Sequence, residues 1–300
     1  MQQRAPVFIV GIPRSGTTLL LRTMLRHSSF GHRRMNGTES ELVELLYRFT
    51  DPNAPVPFRL MGFLCGEDLP ADVRRTIVRL RWRRGLVRKL ARGRAHRDPR
   101  LYRLAGEHLV VRSYLENIAR LRNRRVVEKT PTHLHRVAEL RLAFADARFI
   151  CMHRHPVDVL SSYRRRHAFE HAPDDAWTNI SVDAMAQRWA SDVRTEQRLA
   201  RLYPEAIVLV RYDDLVERPE DTMRRICDHI GEPFDPACLD DFEQAATSRD
   251  DPQRVVRATS KWREHVGEQD AARLERLLAE PMSELGYAPY TASAPAAVDR

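Results

Sequence analysis

A glycine-bounded loop begins at position 11, directly after a short apolar run, and it holds the first group of residues suited to binding or catalysis. Gly11 and Gly16 have the G-x-x-x-x-G spacing of a phosphate-binding loop, and an apolar helical pattern follows. In a strand–loop–helix unit of this kind, the loop N–H groups and the positive end of the helix dipole attract an anion. The residues predicted to contact that anion are Arg14, Ser15, Gly16, Thr17 and Thr18.

The cation of this loop is in an unusual place. A nucleoside triphosphatase has Lys after the second glycine and holds Mg²⁺ with the next hydroxyl and an acidic partner. This chain has Thr17 there, and Arg14 lies inside the loop instead. We expect a phosphate-like group bound with less need for metal. An ordinary strand–turn–helix without a ligand is the alternative, although Gly, Arg, Ser and Thr are poor packing material.

A second group of polar residues occupies positions 128–133, with the sequence Glu-Lys-Thr-Pro-Thr-His after a short predicted strand. Lys129 could stabilise negative charge on a transferred group or on its bridging oxygen. A surface lysine paired with Glu128 is the other interpretation.

Three further positions could bind phosphates or a base. Arg154 leaves a predicted strand and Ser162 lies in the following helix, and an arginine fork beside a hydroxyl suits phosphate. Tyr212 follows another strand, where its ring could stack on a base. Lys261 offers one more cation. The alternatives are an arginine ion pair, a buried helical serine, core packing and surface charge.

Strands and helices alternate along the chain in a way that would bring these residues together. Strands are predicted at residues 7–10, 125–129, 147–153 and 206–211, and helices at 134–144, 157–167, 183–202, 219–230 and 271–285. This order favours a parallel sheet with helices on both faces. Ligands of such sheets bind beyond the carboxyl ends of the strands, where these polar motifs lie.

Composition limits the classes of protein to consider. The 300 residues are 43% hydrophobic and 30% charged, as in a soluble globular protein. No apolar run approaches 18 residues, and the early strand leaves no room for a signal peptide, so we expect a cytoplasmic protein. The four cysteines lack the spacing of a metal site and predict free thiols.

The positive charge is concentrated in one segment. Residues 71–125 contain 18 Lys and Arg against 4 Asp and Glu, a net charge of +14, whereas the whole chain carries +9. A nucleic-acid or anionic-membrane surface, a solvated arginine-rich helical surface and a site for an anionic acceptor are all compatible with this pattern. A non-catalytic protein that binds anionic surfaces would show steeply salt-dependent binding that survives loss of Arg14.

Taken in order, these motifs resemble those of the sulfotransferases that use 3′-phosphoadenosine 5′-phosphosulfate (PAPS), from residue 7 to about residue 287. Residues 13–18 look like their 5′-phosphosulfate loop, and Arg154 with Ser162 resembles their 3′-phosphate site. Tyr212 resembles a residue near the adenine. Lys261 is similar to the lysine of a late Ser-Lys-Trp motif that reaches the phosphates. Residues 128–131 look like the lysine motif of the carbohydrate and tyrosyl-protein branches.

The resemblance implies a fold and an activity. The fold is α/β: a P-loop-like three-layer sandwich formed as one domain over residues 1–300, with a helical, arginine-rich, acceptor-side insertion at 58–124. The activity is transfer of the sulfuryl group of PAPS to a hydroxyl of a small-molecule, sugar or glycolipid acceptor, without a metal or a nucleic-acid partner. Peripheral contact with an anionic membrane stays open. A P-loop kinase and a non-catalytic anion-binding protein are the alternatives.

The same resemblance implies roles in catalysis. Arg14 and Lys129 would stabilise the charge that develops on the leaving phosphate. Glu39 resembles the glutamate that follows the first helix in the carbohydrate and tyrosyl-protein branches, and it is the preferred general base. His133 is the second candidate, although it lies four residues beyond Lys129 and the small-phenol branch has its histidine two beyond. Glu41 is a further alternative. A helix N-terminal carboxylate is the other interpretation of Glu39.

Overall fold

The computed structural model describes residues 4–30, 124–170, 180–240, 242 and 262–291. Within these ranges the strands are β1 (Val7–Gly11), β2 (Val127–Lys129), β3 (Arg148–His153) and β4 (Ile207–Arg211). The α-helices are α1 (Thr17–Met24), α2 (Val137–Ala143), α3 (Pro156–Glu170), α4 (Val182–Leu202), α5 (Tyr212–Glu217), α6 (Pro219–Ile230), α7 (Glu268–Leu277) and α8 (Ala279–Glu284). Short 3₁₀ turns occupy Pro131–Arg136, Pro236–Leu239 and Trp262–Glu264.

The four strands form a parallel sheet in the order β2-β1-β3-β4. Because side chains alternate along a strand, the sheet has two apolar faces. Val7 and Ile9 pack on one face with α1 and α6, whereas Phe8 and Val10 pack on the other with α2 and the end of α4. The predicted α/β fold, with a central parallel sheet between helical layers, is therefore confirmed.

The strand order creates a crevice at one edge of the sheet. The chain leaves β1 to form β2 on one side, and it leaves β3 to form β4 on the other. Because these two connections diverge, the carboxyl ends of β1 and β3 border a gap, and ligands of open α/β sheets bind at such a point. The loop after Gly11 and the segment after His153 both begin there.

A third apolar cluster lies beside this crevice. Leu160 and Tyr163 of α3 pack with Trp189 of α4, with Leu274 of α7 and with Ile12 of the loop. The cluster fixes α3 against the loop, and α3 carries the predicted phosphate ligand Ser162.

The predicted insertion of residues 58–124 lies outside the described residues, apart from Arg124. The residues that flank the undescribed segment meet at the amino edge of the sheet, where the backbone N–H of Arg125 donates to the carbonyl of Ser29 at 3.1 Å. The Arg125 side chain also donates to the carbonyls of Ala5 and Ile230, at 2.7 and 2.6 Å. Both flanks therefore lie at the edge opposite the crevice. None of the helices in the described ranges has the length and apolarity of a membrane span.

Candidate anion-binding site

The loop begins with a glycine that no other residue could replace without strain. Gly11 has a φ of +128°, and a Cβ at this position would collide with the backbone oxygen of Met152 and lie 2.6 Å from its nitrogen. β1 therefore approaches β3 as closely as the backbones allow, since glycine has no side chain to separate them. The close approach places the loop directly beside the end of β3.

Arg14 joins the loop to the helix on the far side of the crevice. Its backbone has a φ of 71°, in the left-handed region that non-glycine residues rarely adopt. Its Nε donates a hydrogen bond of 3.0 Å to the hydroxyl of Ser162 in α3. Two residues assigned from the sequence to different parts of the site, 148 positions apart, are therefore in direct contact.

Tyr212 lies against the same loop. Gly16 has a φ of +85° at the start of α1, and a Cβ there would come within 2.8 Å of Cε2 of the Tyr212 ring. The guanidinium carbon of Arg154 lies 4.1 Å from the ring centroid on a face of the same ring. Tyr212 thus holds the loop and Arg154 together, and burial raises the pKa of its hydroxyl so that it stays protonated.

Arg154 is held by contacts to both its side chain and its backbone. Its Nε lies 3.4 Å from the Oδ2 of Asp158, and its carbonyl accepts a 3.0 Å hydrogen bond from the indole of Trp189. Burial lowers the pKa of Arg154, but nearby Asp158 and Asp213 outweigh that effect and hold the pKa above its usual value. Arg154 is therefore a fixed positive charge at the end of β3.

The hydroxyls of the loop fit an anion. Ser15 is fully buried, and its Oγ has no hydrogen-bond partner among the described residues. Leaving a buried hydroxyl unsatisfied costs about 1–3 kcal/mol, so such an atom suits an acceptor supplied by a ligand. Thr17 is also buried and Thr18 is half-buried at the start of α1. These residues and the positive end of α1 are suited to binding an anion.

The end of β2 carries the second polar motif on both faces of the sheet. Lys129 pairs in register with Ile9 and is only 3% exposed, so it is not a surface lysine. Glu128 points to the opposite face, where it accepts a 2.7 Å hydrogen bond from Thr130. Its other oxygen lies 3.2 Å from Nδ1 of the fully buried His133. A carboxylate beside an imidazole can fix the tautomer of the ring and stabilise its charged form.

Several residues that support the site were not predicted from the sequence. Asp158 follows Arg154 at the i,i+4 spacing of a helical ion pair, which is a signal present in the sequence. Glu196 lies 3.3 Å from Nδ1 of His153, directly before Arg154, and burial raises the pKa of this carboxyl. Nothing local in the sequence pairs Glu196 with a residue 43 positions away.

Two predicted residues cannot be placed, because Glu39 and Lys261 lie outside the described residues. Trp262, next to Lys261, is buried and stacks on Tyr290, with ring centroids 6.3 Å apart. In the described ranges, no cluster of three or more His, Cys, Asp or Glu is arranged to hold a metal ion.

Comparison with known proteins identifies relatives of this arrangement. Residues 6–236 match the model of a family described as the sulfotransferase family. An uncharacterized protein of Aquifex aeolicus (strain VF5) is 23% identical over 276 residues; the match includes 87% of this chain but only 31% of that protein's length.

Two solved structures share the fold. One is the sulfotransferase domain from the curacin biosynthetic pathway, with a TM-score of 0.54 and 21% identity, covering 96% of this chain and 99% of that one. The other is the sulfotransferase domain from the Synechococcus PCC 7002 olefin synthase, with a TM-score of 0.55 and 20% identity, covering 93% and 97%.

Proposed function

The chain belongs to the sulfotransferase family, and from that premise we propose that it transfers a sulfuryl group from PAPS to a hydroxyl group of an acceptor. The observation that carries this proposal is the hydrogen bond between Arg14 and Ser162. It joins a phosphate-binding loop to a second cationic site at the crevice between β1 and β3. A donor with phosphate groups at both its 5′ and 3′ positions needs two such sites side by side.

The donor would lie across this crevice. The 5′-phosphosulfate would bind Arg14, Ser15, Gly16, Thr17 and Thr18, where loop N–H groups and the α1 dipole converge. The 3′-phosphate would bind Arg154 and Ser162, with Lys261 as a further cation.

Tyr212 would contribute to this donor site differently from the sequence-based expectation of base stacking. Arg154 occupies a face of its ring and Gly16 lies at its edge. We propose that the ring holds Arg154 in place and that the hydroxyl contacts the donor. The Tyr212 Oη is buried and has no hydrogen-bond partner within the described ranges, which supports that role.

The chemistry requires stabilisation of charge on the leaving group. PAPS supplies the sulfuryl group and a good leaving phosphate. The acceptor oxygen forms a bond to sulfur while the bond from sulfur to the phosphate oxygen breaks, and negative charge moves onto that oxygen. Arg14, Lys129 and the loop N–H groups are the groups proposed to stabilise it, since fixed donors aimed at developing charge lower the barrier.

A general base must take the acceptor proton. Glu39 keeps its place as the preferred base, on the resemblance described above. His133 is the second candidate, and the Glu128 carboxylate 3.2 Å from its Nδ1 can fix the tautomer of the ring. The variants Glu39→Gln and His133→Gln distinguish the two candidate bases. The variant that removes the true base should have a lower kcat, while its affinity for adenosine 3′,5′-bisphosphate is unchanged.

The acceptor is proposed to be a hydroxylated small molecule or a carbohydrate. Two sulfotransferase domains with the same fold come from the curacin pathway and from an olefin synthase. Their origin supports screening hydroxylated metabolites alongside sugars and glycolipids.

The direct test is formation of adenosine 3′,5′-bisphosphate from PAPS in EDTA, with a panel of hydroxylated acceptors. We expect acceptor-dependent formation by the wild-type chain. Lys129→Met keeps the length of the buried side chain and removes its charge, so it should reduce the rate by about 100-fold or more. Mg²⁺-dependent phosphoryl transfer from ATP, with no reaction of PAPS, would contradict the proposal and favour a kinase.

A further inference from the structure

Tyr290 lies behind the proposed 3′-phosphate site, although it is 136 positions away from Arg154 in the sequence. Its ring stacks on His155 with a centroid distance of 3.7 Å and an interplanar angle of 19°. Trp262 lies parallel to the ring at 6.3 Å. The backbone N–H of Tyr290 donates to the carboxylate of Glu275 at 2.7 Å. The ring is therefore fixed by stacking and by the main chain, independently of its hydroxyl.

The Tyr290 hydroxyl reaches Arg154 through one intervening side chain. It donates a 3.0 Å hydrogen bond to Oδ2 of Asp158. The same oxygen lies 3.4 Å from the Nε of Arg154. Asp158 is 4% exposed, so water does not compete freely for this oxygen. The position of the carboxylate is thus set from one side by Tyr290 and from the other by Arg154.

We propose that Tyr290 is a positioning residue of the donor site, which acts through Asp158 to orient the Arg154 guanidinium toward a 3′-phosphate. The inference rests on the proposed function, because it assumes that Arg154 binds that phosphate. The Nε of Arg154 is buried and makes no hydrogen bond among the described residues, so Asp158 acts on the guanidinium through the 3.4 Å ion pair. The two terminal nitrogens of an arginine carry N–H groups that can donate to a phosphate. An arginine held in this way loses less side-chain entropy when the phosphate binds.

The groups around Tyr290 agree with a donating hydroxyl. Burial and the adjacent Asp158 carboxylate raise the pKa of Tyr290. His155, on which the ring stacks, has its pKa lowered to about 4 by burial and is uncharged at neutral pH. Among the described residues, Asp213 and Glu275 are further carboxylates near this group. Asp158 is the acceptor that the hydroxyl contacts.

The test compares two ligands in two matched variants. Tyr290→Phe removes only the hydroxyl and keeps the stacked ring. Tyr287→Phe is the control, because the Tyr287 hydroxyl is also buried in the same segment but has no hydrogen-bond partner among the described residues. Calorimetry measures the affinity of each protein for adenosine 3′,5′-bisphosphate and for adenosine 5′-monophosphate, which lacks the 3′-phosphate.

We expect Tyr290→Phe to bind the bisphosphate about five- to tenfold more weakly, since it loses a hydrogen bond to a charged group. Its affinity for the monophosphate should stay at the wild-type value, and Tyr287→Phe should match wild type for both ligands. Equal weakening for both ligands would overturn the proposal, because a merely structural change does not select the 3′-phosphate. The proposal would also be overturned if Tyr290→Phe preferred the bisphosphate over the monophosphate as strongly as the wild-type chain does.

The Arg154→Ala background keeps the inference separate from the proposed function. If Tyr290 acts through Arg154, then Tyr290→Phe should not weaken bisphosphate binding further in that background. A further five- to tenfold loss there would place its effect elsewhere and overturn the proposal. If the wild-type chain itself fails to prefer the bisphosphate, the proposed function fails, whatever Tyr290→Phe shows.

Discussion

At the scale of the residue, Arg14 combines an unfavourable backbone with a useful side chain. It is the one non-glycine residue with a positive φ in the described part of the chain. Holding such a conformation costs about 1 kcal/mol or more. Glycine would adopt it without this strain, so an arginine here indicates that the cation itself is needed. Strained backbone at a binding loop commonly trades stability for function.

Arg14→Gly therefore separates stability from activity. We expect turnover to fall by about 100- to 1,000-fold, since a charge-stabilising group is lost. The free energy of unfolding should stay the same or rise by about 1 kcal/mol, since the strain is relieved. Denaturant unfolding measures the change in stability, and formation of adenosine 3′,5′-bisphosphate from PAPS measures the change in turnover. Arg14→Ala is the control that loses the cation and keeps the strain, and wild-type turnover in either variant would contradict the assigned role.

At the scale of the element, the site depends on how closely β1 approaches β3. Gly11→Ala places a methyl group against the Met152 backbone as well as straining the φ angle. We expect a loss of about 3 kcal/mol in unfolding free energy and weaker bisphosphate binding.

Gly231→Ala provides the matched control for this element. Gly231 has a φ of +71° at the end of α6, but a Cβ added there would meet no atom within 4 Å. The Gly231→Ala variant should lose only about 1 kcal/mol of unfolding free energy, and it should bind the bisphosphate with wild-type affinity. Equal losses of unfolding free energy in Gly11→Ala and Gly231→Ala would show that the close contact between Gly11 and the Met152 backbone does not contribute to stability.

The elements themselves could be predicted from the sequence because their patterns are local. The apolar run beginning at Val7 is fully buried in a strand, the run beginning at Ile207 is a partly buried strand, and the polar motifs do lie where those strands end. The strand order could not be predicted in the same way, because no local pattern states that β1 lies between β2 and β3. The contact between Tyr290 and Asp158, 132 positions apart, likewise depends on packing that no spacing encodes.

In the whole molecule, the proposed donor site and a buried ion-pair cluster lie at opposite edges of the sheet. The carboxyl edge holds Arg14 and Arg154. At the amino edge, Glu232 accepts hydrogen bonds from Arg4, Ser29 and Arg125, at 2.6, 2.9 and 2.9 Å. Burial raises the pKa of Glu232, but these donors outweigh it and hold the pKa below its usual value. Its contribution to stability is thus present near neutral pH and is lost in acid, as the carboxylate takes up a proton.

Glu232→Ala tests this separation. Removing the carboxylate leaves the Arg125 guanidinium, 7% exposed, without its ion pair, and we expect a loss of about 3 kcal/mol in unfolding free energy. Arg4→Ala removes a partner that is 61% exposed and should cost less than about 1 kcal/mol. Bisphosphate affinity, measured well below the unfolding midpoint, should match wild type in both. A large affinity loss in Glu232→Ala would show that the two edges are coupled.

The proposed donor site is best tested by calorimetric titration of the wild-type chain with adenosine 3′,5′-bisphosphate and, separately, with ATP, both in EDTA. The crevice with two adjoining cationic sites, joined by Arg14 and Ser162, predicts tight binding of the bisphosphate and little binding of ATP. A preference for ATP, or no binding of either nucleotide, would contradict the account of a PAPS-dependent sulfotransferase.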